Sequence, residues 1–238
     1  MKTEKEKSKK RFKDFTEGLF AALIAALIIR QFIVQAYTIP TSSMEKTLLV
    51  GDFLLVNKFN YGMRTPEWIG IPYTDIGFDV PWVRLPGLRQ PQQNDVIIFR
   101  YPKDRSMDYI KRCIATGGQT VEIIDKKVFV DGEKFPLPPK AQFIDPRVFD
   151  RNEGQYAFPT FRNLGSRDNY GPITIPDDGY WAMGDNRDNS SDSRAWGFVM
   201  DEDIVGQALI IYFSWNSNVP MSQLFNKIRF GRIGWVIR

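Results

Sequence analysis

Three segments of the sequence concentrate polar side chains between apolar runs, and they contain the residues that could do chemistry. The first, residues 39–48, is a turn rich in Ser and Thr that offers hydroxyl nucleophiles. The second, residues 107–114, reads as a strand in which Lys111 shares one face with Tyr109 and Cys113. Burial among such neighbours lowers the pKa of a lysine and makes it a usable base at neutral pH. A strand lysine that reaches solvent is the alternative.

The third segment, residues 183–194, packs Asp, Asn, Ser and Arg side chains into twelve positions. Such density suggests a calcium-binding loop first. Counting from Asp188, however, the position that needs glycine holds Ser193, and the position that needs the closing glutamate holds Val199. Two interpretations remain, a plain polar loop or a self-bonded network that holds a site rigid.

The absence of histidine narrows the possible mechanisms. Without histidine the chain has no Ser–His–Asp triad, no Cys–His pair and no His-ligated metal. The single cysteine, Cys113, allows neither an intramolecular disulfide nor a zinc site built on several cysteines. We therefore expect no metal and no cofactor, and a hydrolase of this sequence would need Lys, Asp or Glu as its base.

The basic charge of the chain lies almost entirely in its first residues. Residues 1–13 hold seven basic and two acidic side chains, which leaves 25 basic and 26 acidic ones in the other 225 residues. A nucleic-acid-binding protein needs its basic excess on the folded surface. The remaining chain has no such excess, so we expect no nucleic-acid partner.

An apolar stretch at residues 18–36 follows this basic tail of residues 1–17. As a helix it would be roughly 28 Å long, about the thickness of a bilayer core. It predicts one transmembrane anchor, and the basic residues before it predict a cytoplasmic N-terminus with residues 37–238 on the other side. A cleaved signal peptide ending at residues 34–36 and a buried core helix are the alternatives.

Beyond residue 37 the helical periodicity gives way to short runs rich in β-branched and aromatic residues, which predict strands. Because no long amphipathic segment separates them, a mostly antiparallel β fold is expected. Asp131-Gly132 reads as a hairpin turn between two of the strands. The predicted strands are Phe53–Val56, Val96–Tyr101, Tyr109–Ile114, Thr120–Ile124, Lys127–Val130, Tyr180–Met183 and Ile204–Phe213.

Two proline-rich stretches, residues 60–93 and 134–178, read as insertions into this β domain. They hold five and seven prolines, a density that does not fit central strands. Long loops, edge ribbons or a small appended domain are therefore expected. Trp68 and Trp82 in the first insertion could contact a membrane interface near an anchor, with ordinary loop packing as the alternative.

Taken together, the three polar segments resemble the bacterial type I signal peptidases, leader peptidases that use a Ser/Lys dyad. The similarity rests on Ser-Met followed by Leu-Leu-Val-Gly-Asp, then Asp-Tyr-Ile-Lys-Arg, then Gly-Asp-Asn-Arg-Asp-Asn-Ser-x-Asp-Ser-Arg. It extends over about residues 33–237 and accounts for the missing histidine. It implies an antiparallel β-sheet catalytic domain with a smaller inserted β/loop domain, after one N-terminal transmembrane helix.

The resemblance implies specific roles for four residues. Ser43 corresponds to the nucleophile and Lys111 to the general base. Thr41 stands where the family has a hydroxyl that forms the oxyanion hole together with the backbone N–H of Ser43. Ser190 corresponds to the residue that orients the base.

The resemblance also implies the surroundings of the site. Three charged residues correspond to its supporting polar network, namely Asp185, Asp192 and Arg194. Eight residues correspond to the walls of two shallow substrate pockets, namely Ile39, Met44, Leu48, Leu54, Ile98, Asp108, Tyr109 and Ile110. Pockets of this kind imply selection for small, Ala-like residues at positions −1 and −3 of the substrate.

By the same resemblance, the partners would be exported preproteins with signal peptides and the lipid bilayer, without an obligate protein partner. The implied location is the cytoplasmic membrane of a bacterium, with the catalytic domain on its outer side. Many Gram-negative relatives have two N-terminal spans, whereas this sequence contains one candidate. A membrane-tethered β-rich binding protein and another Ser/Lys hydrolase are the competing hypotheses.

Overall fold

The computed structural model describes residues 4–65, 68–70, 74, 76–153 and 159–238. Parts of both predicted insertions, residues 66–67, 71–73, 75 and 154–158, lie outside the described residues. The helices are α1 (Glu4–Phe32), α2 (Ser193–Trp196) and α3 (Leu224–Lys227). The strands are β1 (Val34–Thr38), β2 (Asp52–Asn57), β3 (Trp68–Gly70), β4 (Gly77–Asp79), β5 (Val96–Tyr101), β6 (Asp104–Thr116), β7 (Thr120–Ile124), β8 (Lys127–Val130), β9 (Glu133–Lys134), β10 (Tyr170–Thr174), β11 (Gly179–Met183), β12 (Val199–Met200), β13 (Ile204–Ser214) and β14 (Trp235–Val236).

An eight-stranded sheet dominates the structure. Its strand order is β1-β2-β13-β5-β6-β11-β12, with β14 paired to β13, and the paired strands run antiparallel. The prediction of a mostly antiparallel β fold is therefore confirmed. Strand β6 is 13 residues long, so that it pairs with β5 along its first part and with β11 near its end.

Alternating residues of the large sheet fill two apolar clusters. In β5, Val96 and Ile98 belong to one cluster, whereas Ile97 and Phe99 belong to the other. This separation follows from the two-residue period of a strand, which sends successive side chains to opposite faces. The first cluster also takes residues from the turn before β2, and this packing holds the turn against the sheet.

A smaller sheet with the strand order β10-β7-β8-β9 packs around an apolar core that it shares with residues of β6 and β11. Asp131 and Gly132 form the predicted hairpin turn, both with positive φ (53° and 82°), between β8 and β9. Strand β10 lies inside the predicted insertion 134–178. It pairs with β7 at the edge of the sheet, and its register shifts around Pro172, the kind of position where a strand tolerates proline.

Helix α1 differs from the predicted 18–36 span at both ends. It begins at Glu4 and ends at Phe32, because residues 34–38 pair with β2 as strand β1 instead of continuing the helix. Large apolar side chains of its second half are exposed, among them Leu23 and Leu27. Within the described residues, no helix is both long and apolar enough to cross a membrane.

Candidate active site

Ser43 and Lys111 meet in a buried position at the large sheet. Ser43 lies in the turn between β1 and β2, and Lys111 lies on β6. Lys111 Nζ donates a hydrogen bond of 2.8 Å to Ser43 Oγ. Their exposed fractions are 3% for Lys111 and 9% for Ser43. The structure thus brings the predicted nucleophile and the predicted base into direct contact across 68 positions of sequence.

The turn that carries Ser43 is held by its apolar residues. Met44 and Leu48, four positions apart, are fully buried in the cluster under the sheet. The backbone N–H of Leu48 donates to the carbonyl of Met44 at 2.7 Å, and the N–H of Glu45 donates to Ser42 at 3.0 Å. A single turn whose apolar side chains face inward leaves Ser43 at its start, beside the sheet.

Burial disfavours the charged form of Lys111, so that the neutral amine, which can accept a proton, is available near neutral pH. It lowers the pKa of Lys111 to about 8, although the carboxylates of Asp192 and Asp185 act in the opposite direction. The ammonium also donates to the carbonyl of Ile110 at 3.0 Å and lies 5.3 Å from the centre of the Tyr109 ring. Its two hydrogen-bond acceptors are therefore uncharged oxygens.

Thr41 and Ser190 take different positions around this pair. The Thr41 hydroxyl lies 3.4 Å from Ser43 Oγ, beside the nucleophile. The Ser190 hydroxyl is buried and contributes to the lowered pKa of Asp192. Within the described part of the chain it makes no hydrogen bond to Lys111. The predicted contact between Ser190 and the base is thus not present in this geometry.

The 184–194 loop is a self-bonded network, not a plain polar loop. Asp192 caps α2 by accepting from the N–H of Arg194, whose guanidinium returns bonds of 2.9 and 2.8 Å to the same carboxylate. The N–H of Gly184 also donates to Asp192, at 3.1 Å. These bonds lower the pKa of Asp192 despite its complete burial. The predicted partners Asp192 and Arg194 therefore lie together.

Asp185 forms a second charge pair near the base. Arg112 donates two hydrogen bonds to its carboxylate, at 2.8 and 2.6 Å, and the Thr47 hydroxyl donates a third. All three side chains are buried. Arg112 follows Lys111 on β6 and therefore points to the opposite face of the sheet. The carboxylates near Lys111 are thus each matched by an arginine.

The eight predicted pocket residues divide into two groups. The apolar ones lie in or against one buried cluster, namely Ile39, Met44, Leu48, Leu54, Ile98 and Ile110. Asp108 is exposed and accepts a hydrogen bond of 2.8 Å from the Tyr37 hydroxyl on β1. Tyr109 stacks on Tyr101, with ring centres 4.4 Å apart, and packs with the other cluster.

This arrangement favours nucleophilic catalysis by a serine. A neutral lysine in contact with a hydroxyl can take its proton, which activates the oxygen for attack on a carbonyl group. Among the described residues, no group of three or more Cys, Asp or Glu side chains is placed to hold a metal ion. The chemistry that the geometry supports is acyl transfer, with Ser43 as the nucleophile and Lys111 as the base.

Comparison of the sequence with known families gives one match over most of the chain. The family described as "Signal peptidase, peptidase S26" matches residues 12–215. The chain belongs to this family. Its match over the turn, β6 and the 184–194 loop covers all the site residues described above.

Bacterial proteins named signal peptidase I are about one third identical to this chain. Signal peptidase I of Pseudomonas aeruginosa is 35% identical, over 93% of this chain and 78% of the relative. That of Pseudomonas fluorescens is 33% identical, over 94% and 78%, and that of Aquifex aeolicus is 35% identical, over 82% of both. A crystal structure of a signal peptidase I from Enterococcus faecalis V583 has 27% identity and a TM-score of 0.34, covering 50% of this chain and 97% of that one.

Four residues of this signal peptidase site were not predicted from the sequence as site residues. Arg112 and Thr47 bind Asp185, Gly184 lies between Ser43 and Ser190, and Asn186 bonds the turn around Ser43. Gly184 and Asn186 lie inside the polar segment 183–194. The composition of that segment indicated a hydrogen-bonded network but not which residues bond each other. Arg112 stands next to the base, yet its partner on a distant loop is visible only in three dimensions.

Proposed function

We propose that this protein is a serine endopeptidase that removes N-terminal signal peptides from exported preproteins. The observation that carries the proposal is the 2.8 Å hydrogen bond between Lys111 Nζ and Ser43 Oγ inside a buried site. Membership of the signal peptidase family supports the substrate class. Relatives named signal peptidase I, with identities of 33–35% over most of the chain, support it as well.

In the proposed reaction Lys111 is the general base and Ser43 the nucleophile. Neutral Lys111 takes the hydroxyl proton while Ser43 Oγ forms a bond to the scissile carbonyl carbon. The tetrahedral intermediate then collapses, the carbon–nitrogen bond breaks, and the lysine ammonium gives its proton to the leaving amine. A water molecule, deprotonated by the same lysine, cleaves the acyl ester and restores Ser43.

The developing negative charge on the carbonyl oxygen needs donors in the site. We assign this role to the backbone N–H of Ser43 and the hydroxyl of Thr41. The supporting observation is that the Thr41 hydroxyl lies 3.4 Å from Ser43 Oγ. Loss of one such donor typically costs about 3–4 kcal/mol of transition-state stabilisation. Ser190 would act on the base indirectly, through Asp192 and the packing of the loop.

The pockets that select the substrate would be walled by the residues around β1 and β6. Side chains such as Ile39, Ile98 and Ile110 lie in or against the buried cluster. Small residues at positions −1 and −3 of the signal peptide would be favoured. The same residue types that hold the turn of Ser43 in place would also limit what enters beside it.

Helix α1 would serve as the membrane anchor, with residues 18–32 in the bilayer. Seven large apolar side chains between residues 19 and 29 are exposed, and a lipid environment would cover them. The basic residues before them would remain in the cytoplasm, which places the catalytic domain outside. The protein should then resist extraction at alkaline pH. Release from the membrane by such a wash would contradict the anchor but not the activity.

The activity is tested by incubating the purified full-length protein with a preprotein and sequencing the new N-terminus. We expect one cut that follows a small residue, made by the parent and not by the Ser43→Ala variant. Cleavage that persists in Ser43→Ala would remove the serine mechanism. A parent protein that leaves the preprotein intact would remove the proposed function.

A further inference from the structure

Asn186 holds the chain on both sides of Ser43. Its side chain is fully buried, and its Nδ2 donates to the carbonyl oxygen of Ser42 at 3.1 Å and to Oε2 of Glu45 at 3.2 Å. Its backbone N–H donates to the carbonyl oxygen of Ser43 at 3.0 Å. Both oxygens that face Nδ2 are acceptors, so the orientation of the amide follows from its partners.

The bond to Ser42 matters because of the peptide unit that it touches. The carbonyl of Ser42 and the N–H of Ser43 belong to one planar unit. That N–H is the backbone donor that the proposed mechanism assigns to the oxyanion. A hydrogen bond accepted by the carbonyl fixes the plane, and it polarises the unit so that the N–H becomes a stronger donor. The N–H of Glu45 adds a second bond to the same carbonyl, at 3.0 Å.

We propose that Asn186 is a positioning residue for the oxyanion donor, because its side-chain amide fixes and polarises the peptide between Ser42 and Ser43. The inference rests on the proposed function, since it needs an oxyanion that forms during attack by Ser43. Asn186 acts through the backbone and does not touch the substrate. It therefore affects the transition state more than the bound substrate.

A simple structural role makes a different prediction. If Asn186 only tied the 184–194 loop to the turn, its loss would disturb the base as well. The reason is that Gly184 of the same loop lies against Ser43, and Asp185 and Asp192 of that loop act on the pKa of Lys111. Substrate binding and the pH dependence would then change together with the rate. A role confined to the oxyanion leaves both of these unchanged.

Asn189 provides a matched control in the same loop. Its Nδ2 donates to the side-chain oxygen of Ser42 at 3.0 Å, not to the carbonyl. The two asparagines therefore have the same chemistry and contact the same residue, but only Asn186 bonds the peptide that carries the donor. Asn189→Ala removes a bond to the turn without affecting the carbonyl of Ser42.

The test compares Asn186→Ala, Asn186→Asp and Asn189→Ala with the parent, each as the purified full-length protein. We measure kcat and KM on one peptide substrate, and the Ki of a peptide aldehyde that forms a tetrahedral adduct with Ser43. For Asn186→Ala we expect kcat to fall about tenfold and Ki to rise by the same factor, with KM and the pH limb unchanged. Asn186→Asp should lose at least as much, because a carboxylate cannot donate to the Ser42 carbonyl.

Each outcome decides the inference. It is overturned if Asn186→Ala keeps the parent kcat and Ki, if its loss appears in KM or as a shifted pH limb, or if Asn189→Ala loses as much. Since KM and Ki do not depend on the folded fraction, partial unfolding of a variant does not obscure the result. An inactive parent, or an active Ser43→Ala, refutes the proposed function and the inference with it. A parent that requires Ser43 together with an unaffected Asn186→Ala refutes the inference alone.

Discussion

Two largely buried lysines in this protein have opposite surroundings. Lys111 on the large sheet donates to a serine hydroxyl and to a backbone carbonyl, both uncharged. Lys126, between β7 and β8 of the small sheet, donates directly to the carboxylate of Asp188 at 3.1 and 3.2 Å. It also donates to the carbonyl of Asp145 at 2.6 Å. No carboxylate accepts a hydrogen bond from Lys111, whereas the carboxylate of Asp188 accepts from Lys126.

The two lysines differ in whether a nearby carboxylate bonds the lysine directly. Asp185 and Asp192 are close enough to raise the pKa of Lys111, but Arg112 and Arg194 bond each of them from other directions. Burial therefore dominates, and it lowers the pKa of Lys111 to about 8. Arg167 also lies 3.6 Å from Asp188, so the two lysines differ in direct contact: no carboxylate accepts a hydrogen bond from Lys111. Lys126, bonded directly to the carboxylate of Asp188, links the turn between β7 and β8 to the 184–194 loop.

The largest expected effect on activity comes from substitutions of Lys111 and of its partner Ser43. Lys111→Ala and Ser43→Ala should each lower kcat/KM by about 10⁴-fold or more, since removal of either partner stops activation of the serine. Lys111→Arg should fail equally, because a guanidinium stays protonated. Lys126→Arg, which keeps the cation beside Asp188, should retain the parent activity. Measurable turnover by Lys111→Arg would contradict the assignment of the base.

A second prediction concerns the close packing of Gly184 against Ser190 and Ser43. A Cβ at Gly184 would lie 2.2 Å from Ser190 Oγ and 2.5 Å from the carbonyl oxygen of Ser43, so one of them must shift. Gly184→Ala should therefore lower kcat by about 10²-fold, because small displacements of catalytic groups cost rates of that order. Gly231→Ala, where a Cβ meets nothing within 4 Å, controls for a general loss of glycine, with thermal unfolding as a check on folding.

A third prediction compares the two lysines in stability. Below pH 8 the folded protein buries a charged Lys111, whereas the unfolded chain keeps a pKa of 10.5, so the unfolded state binds more protons between these values. Lys111→Met should raise the free energy of unfolding by up to about 3 kcal/mol at pH 7, and this gain should disappear as the pH approaches 10.5. Lys126→Met should instead lower it, by about 2 kcal/mol, because Asp188 loses a cation.

Urea unfolding of the two variants and the parent at pH 7 and pH 10 measures these free energies of unfolding. Opposite signs at pH 7 sharpen the comparison between the two lysines. If both substitutions destabilise the protein equally, the two lysines do not differ in the way that their contacts indicate.

The sequence predicted most of the large sheet but not the details at its ends. The strands around Leu54, Ile98 and Lys111 are short runs rich in apolar, β-branched and aromatic residues, and the structure contains them. The apolar stretch gave no sign that the helix ends before residue 34. From there the chain pairs with β2 as a strand, and this pairing prevails over helix propensity. Strand β10 was hidden by Pro172, since an edge strand tolerates a proline that a central strand does not.

At the site, the sequence predicted the residues that resemble a family motif and missed their partners. Ser43 and Lys111 stand in recognisable segments, and they lie in contact. Arg112 reads as one more charged strand residue until the fold places it against Asp185. Partners of this kind depend on strand register and loop path, which local patterns do not specify. The resemblance implied a hydrogen bond between Ser190 and Lys111, and the structure does not contain this bond.

The pH dependence of kcat/KM for the free protein tests the central claim most directly, with the Thr41→Ala variant as the matched control. Because Lys111 must lose its proton to act, activity should be low in acid and rise along one basic limb with an apparent pKa of about 8. Thr41→Ala should lower kcat and leave the limb in place, since its hydroxyl contacts the nucleophile and not the base. Full activity of the parent well below neutral pH would mean that a carboxylate, and not Lys111, takes the proton from Ser43.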